Sequence, residues 1–169
     1  MLNPVSMAES LKSAIQDVTD PSDAMNKFWK ALKNYISSEA TVIYTWAGMS
    51  PVSVPDPVMV INATLQPGLD PISGPEMTNV KTATDAMTVF SAWLNSALSK
   101  WTVSWPLDFV LSPALLIPSI SLVPSGVNNR DASFSSLCSS ILSGLGACTP
   151  MVTGTHGIYT GAGSFSKII

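Results

Sequence analysis

The chain has 169 residues, enough for one domain or two closely packed halves with a real core. Only 11% of its residues are charged, against about a quarter in an ordinary soluble domain, and 46% are apolar. A net charge of −3 supplies no concentrated basic face, which argues against nucleic-acid binding, and so little charge leaves a monomer poorly protected from association. Nine of the nineteen charges fall in residues 1–39 and none between Ala132 and Ser166. The N-terminal part is therefore expected to face water and the C-terminal third to be the more buried.

In chain order, Asn3-Pro4 reads as a helix cap and first helical position. Met7, Leu11, Ala14, Ile15 and Val18 then recur at helical spacing until Asp20-Pro21. The next stretch, Ser22 to Ser38, carries Met25, Phe28, Leu32, Tyr35 and Ile36 on one stripe, and the two segments form a predicted helical hairpin. Lys27, Lys30 and Lys33 are read as its solvated face, with Asp23 and Lys27 as an i,i+4 pair rather than as a phosphate site. Thr41 to Trp46 and Val58 to Leu65 read as strands, the second alternating Met59, Ile61, Ala63, Leu65 against Val60, Asn62, Thr64. Between them the Pro- and Ser-rich run Ser50–Pro57 is predicted to be an extended arm or wide loop.

A helix is predicted again over Thr84 to Lys100, and it repeats the earlier one at a constant offset of 62. Ser22-Asp23-Ala24-Met25, Phe28, Leu32 and Ile36-Ser37 match Thr84-Asp85-Ala86-Met87, Phe90, Leu94 and Leu98-Ser99. This suggests duplicated halves, 22–68 and 84–126, with Ser22 and Thr84 as N-caps. Further strands are expected from Trp101, Ser119 and Ile158. A last helix, Asp131 to Leu145, has Phe134, Leu137, Cys138, Ile141, Leu142 and Leu145 on one face and serines on the other, a surface suited to a polar protein neighbour. The Thr/Gly-rich stretch 154–163 reads as a short hairpin or pliable tail that adds little to a monomer core. The fold class is α+β in a single domain, 1–169, with the final helix and tail spanning 131–169.

No residue pattern here supports catalysis, a metal site or a cofactor. His156 is the only histidine, and the sequence places no orienting partner near it. The apolar run from Phe109 to Asn128 is broken by Pro113, Pro118 and Pro124, so no membrane span is expected. Glu9 and Lys12 fall where a secretory signal would be apolar, which points to cytoplasmic synthesis. Cys138 and Cys148 are read as two buried thiols. Of the five tryptophans, Trp93, Trp101 and Trp105 are interface candidates beside core packing.

The layout of short amphipathic helices (Ser6 to Val18, Ser22 to Ser38), Ser/Thr/Val/Pro-rich strands and a Thr/Gly-rich tail (Gly154 to Gly163) resembles the small structural proteins of tailed, especially contractile-tailed, bacteriophages. That resemblance implies a non-enzymatic virion component without cofactors, made in the host cytoplasm. Its partners would be copies of itself and other virion proteins, in the tail or baseplate, or as a capsid decoration or neck protein, with no small-molecule substrate. The alternative from another class is a module binding a small apolar ligand. The candidate interface residues are Pro51, Val54, Pro55, Trp93, Trp101, Trp105, His156 and Tyr159.

Overall fold

A computed structural model of the chain describes residues 1–126, 129–145 and 151–169. It contains four helices, α1 (Pro4–Ile15), α2 (Pro21–Glu39), α3 (Ala83–Leu98) and α4 (Arg130–Leu145), among those residues. Six strands accompany them: β1 (Thr41–Met49), β2 (Met59–Gln66), β3 (Thr102–Ser104), β4 (Phe109–Leu111), β5 (Val152–His156) and β6 (Tyr159–Ile168). The strands form one antiparallel sheet in the order β3-β2-β1-β6-β5-β4, so the fold is α+β.

Helix starts follow local chemistry. Asn3 caps α1 through its side-chain oxygen, which accepts from the Val5 and Ser6 amides, with Pro4 at the first helical position. In α2 and α3 the caps lie two residues earlier than Ser22 and Thr84. They are Asp20, accepting from the Asp23 amide at 2.8 Å, and Thr82, accepting from the Asp85 amide at 3.0 Å in a full capping box. A side-chain acceptor three residues before an acidic first-turn residue is the better cap, and these two positions keep the offset of 62. Leu32 and Leu94, and Ile36 and Leu98, are matched pairs and all fully buried, while the matched rings of Phe28 and Phe90 lie 5.4 Å apart. The likeness ends with the helices: β1 pairs with β2, whereas β3 and β4 stand at opposite edges of the sheet.

The sheet must curl. Laid flat, β3 and β4 would be separated by five spacings of about 4.8 Å, roughly 24 Å, but five Cα steps from Ser104 to Phe109 reach at most about 19 Å. The chain beyond β4 then meets β3: Val103 N–H donates to the Ala114 carbonyl and Leu116 N–H to the Trp101 carbonyl, each at 2.9 Å, and Thr102 bridges to Leu115. Residues 109–116 thus pair first with β5 and then with β3, joining the two edges into a small barrel and leaving little edge for unwanted pairing.

Inward positions fill this barrel. Val42, Tyr44 and Trp46 on β1, Ile61, Ala63 and Leu65 on β2, Val103 on β3 and Val152 on β5 are buried. Trp105 packs edge-on against Tyr44 and Phe109 against Trp46. Gly48, Gly161 and Gly154 stand side by side across β1, β6 and β5. A Cβ at Gly48 would come within 2.8 Å of the Trp46 ring, and one at Gly161 would run into the Ala47 carbonyl oxygen. The glycines of the supposed tail are therefore the bend of the barrel wall. Of the two expectations for this stretch the hairpin holds, as β5 and β6, and the pliable tail does not: β6 lies inside the sheet, pairing with β1 over most of its length, and Ile169 exchanges two backbone bonds with Thr41.

The helices gather at the end of the barrel where α2 runs directly into β1 and α3 into β3. The α1–α2 hairpin is locked by the Tyr35 hydroxyl, which accepts from the Asn3 amide and donates to the Asn3 carbonyl, both at 2.9 Å. Lys12 pairs with Asp131 of α4 at 2.6 Å, and Lys27 with Asp23 at 3.2 Å. No strand starts at Ser119. Its amide donates to the Gly144 carbonyl, the Asn95 side chain pairs with both the amide and carbonyl of Ile120, and the Leu122 amide donates to Ser91 Oγ. This segment is extended, as its sequence suggests, but α3 and α4 satisfy its backbone in place of a strand.

Candidate functional site: the turns at one end of the barrel

At the end opposite the helices, three turns converge. The run predicted as an extended arm or wide loop, 50–57, is a loop but a compact one: the Ser53 amide donates to the Ser50 carbonyl, the Ser50 amide to the Val54 carbonyl, and the Val54 amide to Ser50 Oγ. Ser53 takes a left-handed φ of 61° at its tip, the bulge position of a three-residue hairpin loop. Asp56 N–H returns to the Gly48 carbonyl. The second turn is Gly157-Ile158, with Gly157 at φ 58°, joining His156 to Tyr159. The third runs from Pro106 to Phe109, closed by the Phe109 amide on the Pro106 carbonyl.

His156 is the hub of all three. Its Nδ1 lies 2.8 Å from Asp56 Oδ2, its ring stacks on Phe109 at 4.5 Å between centroids, and it pairs across the hairpin with Tyr159. The same Asp56 oxygen accepts from Trp46 Nε1 at 2.7 Å. The Asp56 side chain is 2% exposed and that of His156 26%. A buried carboxylate costs several kcal/mol unless hydrogen-bonded; here an indole and an imidazole supply the bonds. The two tie the 50–57 turn to the barrel interior.

Of the candidate interface residues, the structure brings five together here: Pro51, Val54 and Pro55 on the first turn, His156 and Tyr159 on the second. Trp105 lies just inside, against Tyr44. Two others belong elsewhere. Trp101 is fully buried in the chain's own core, against Trp29, so it presents nothing to a partner. Trp93 turns back on its own chain, stacking on Phe90 and donating from Nε1 to the Ser73 carbonyl at 2.9 Å. Asp56 was missed in the sequence because its partner lies 100 residues away. The available signal was that it is the sole charge between Glu39 and Asp70, in a Pro- and Val-rich run.

The turns leave Val52, Val54, Val58, Leu107 and Ile158 exposed, at 80, 52, 72, 102 and 69%. Outside these turns much of the barrel wall is dressed in hydroxyls: Thr41, Thr45, Thr64, Thr153, Thr155, Thr160, Ser164 and Ser166 occupy outward positions, with Val60 and Val110 also exposed among them, and in all six strands the one Lys, Arg, Asp or Glu is Lys167.

A second concavity lies beside α4, a cavity of about 210 Å³ lined by Met87, Leu122, Val123, Phe134 and Leu137 with serines at its rim. Burial pushes the Cys138 thiol up to about 12, so it stays a protonated, inert group. Cys148 lies outside the described residues. Among the described residues no three His, Cys, Asp or Glu side chains gather to hold a metal ion, and no helix is long and apolar enough to cross a membrane. No family model, no curated protein and no solved structure matches the chain.

Proposed function

We propose that the protein is a structural subunit of a tailed-phage virion, placed in the tail or baseplate, with capsid decoration or a neck position as the nearest alternative. The observation that carries this reading is the bare apolar crown of three turns above a barrel whose wall holds a single Lys. Surfaces of this kind gain stability from being covered, and a particle covers them with neighbours. The crown is held rigid from below, so docking would cost little ordering entropy. In this reading the His156–Asp56 contact is a structural tie rather than a dyad poised for chemistry. Mass spectrometry of purified particles is the test: peptides of this chain in stoichiometric amount are expected, and their absence from washed particles would reject the proposal.

The cavity beside α4 favours one other reading, a module for a small apolar ligand, although 210 Å³ is below the roughly 300 Å³ at which drug-sized sites begin. Native mass spectrometry showing a retained apolar ligand would favour it.

A further inference from the structure

We infer that two copies of this chain pair crown to crown through the turns 50–58, 106–109 and 157–158. This rests on the proposal of a virion subunit and names one of its contacts. The three turns meet at one end of the barrel, where Asp56 of the first and Phe109 of the third both touch His156 beside the second. Val52, Val54, Val58, Leu107 and Ile158 are thus all exposed at that same end. Five residues at these exposures present on the order of 600 Å² of apolar surface, the upper end of what a monomer leaves bare and near the ~800 Å² each partner gives a stable interface.

Charge decides the occupant. The three turns hold one exposed charge, Asp108, and no Lys or Arg. A bilayer surface is ordinarily met with a basic rim, which is missing here, and Asp108 would be repelled by anionic lipid. The partner must itself be largely apolar, and the crown meets that description apart from Asp108, which a crown-to-crown contact leaves in water at its rim because the turns offer no Lys or Arg to pair with it. A patch that complements itself makes a closed two-fold contact, in which each residue meets its counterpart's neighbourhood without leaving a free interface. The prolines at 51, 55, 57 and 106 and the Asp56 tie hold both halves in place before they meet.

The test uses the full chain in sedimentation equilibrium across a wide concentration range. A dimer is expected for the wild type, and the double variant Leu107→Glu/Ile158→Glu should weaken it by about 100-fold or more, since like charges would be buried at the centre of the contact. Both side chains are mostly solvent-exposed, so the circular dichroism and melting point of the variant should match the wild type. Asn62→Glu/Thr64→Glu on the barrel wall is the control and should dimerise normally. A wild type that stays monomeric, a crown variant that dimerises unchanged, or a control that alone abolishes pairing would overturn the proposal. Flotation of monomers with neutral vesicles would overturn it in favour of lipid. The virion proposal fails separately: a crown dimer absent from particles rejects that reading alone, and a particle protein indifferent to the crown variant rejects only this contact.

Discussion

The two ends of the barrel handle charge in opposite ways. At the helical end Lys12 meets Asp131, Lys27 meets Asp23 and Lys33 meets Asp70, all with water beside them, and the apolar faces of α1 to α4 are turned inward. At the crown one acidic side chain, Asp56, is buried with its Oδ2 bonded to an indole and an imidazole, while valine, leucine and isoleucine are left outside. Exposed ion pairs are worth little each, about 0–1 kcal/mol; a buried carboxylate whose partners are removed is worth several times that. The helical end is therefore built to be solvated and tolerant, and the crown to be rigid and intolerant of change beneath its surface.

The sharpest way to break this contrast is to remove β6. Deleting residues 159–169 takes away the strand between β1 and β5 and leaves both with unpaired backbone, so cooperative folding should be lost entirely, as a missing unfolding transition in urea. Folding with only a modest loss would mean that the helical end and β1–β2 form a core of their own. Next in size is Asp56→Ala, which strands the Trp46 indole and the His156 imidazole beneath the crown and should cost about 3 kcal/mol. Asp56→Asn keeps an acceptor and should cost less than half of that by chemical denaturation. Gly161→Ala comes third, at about 2 kcal/mol, because its methyl meets the Ala47 carbonyl at the bend of the wall.

Much of the helical end was legible in the sequence and little of the crown was. Helix periodicity is a local signal, so α2 and α3 and their matched inner residues could be read from spacing, and the alternation of β2 likewise. The caps were misplaced by two residues because Ser-Asp and Thr-Asp are also plausible starts, and only geometry shows that Asp20 and Thr82 reach the third-residue amide. Residues 154–163 read as a hairpin or a pliable tail, the second because glycine lowers strand propensity, and the hairpin is what forms. The reason for glycine at 154 and 161, the backbone of Val110 and of Ala47 pressed against them in a curled wall, is a fact about β4 and β1 and not about the segment itself. Asp56 and His156 meet only because β1–β2 and β5–β6 turn at the same end, which no short window of sequence displays.

The smallest predicted effect probes the helical end. Asp70 accepts from Lys33 Nζ at 2.7 Å and from Trp29 Nε1 at 2.8 Å, pinning the loop after β2 onto α2. Those bonds, the Lys33 one first and the Trp29 one second, hold its carboxyl below the usual 3.8. A carboxylate with a depressed folded-state value contributes stability that is fully present above the unfolded value, about 4, and is lost as pH falls through the lower folded one. Its side chain is half exposed, so solvent screens the pair and the contribution is small, about 0.5 kcal/mol. Asp70→Asn should therefore lower the urea midpoint slightly at pH 6 and progressively less below pH 4, where the wild type loses the same charge. Added salt should shrink the gap at pH 6 as well. A gap of the same size at pH 6 and at pH 2.5 would mean that the charge of Asp70 contributes nothing to it.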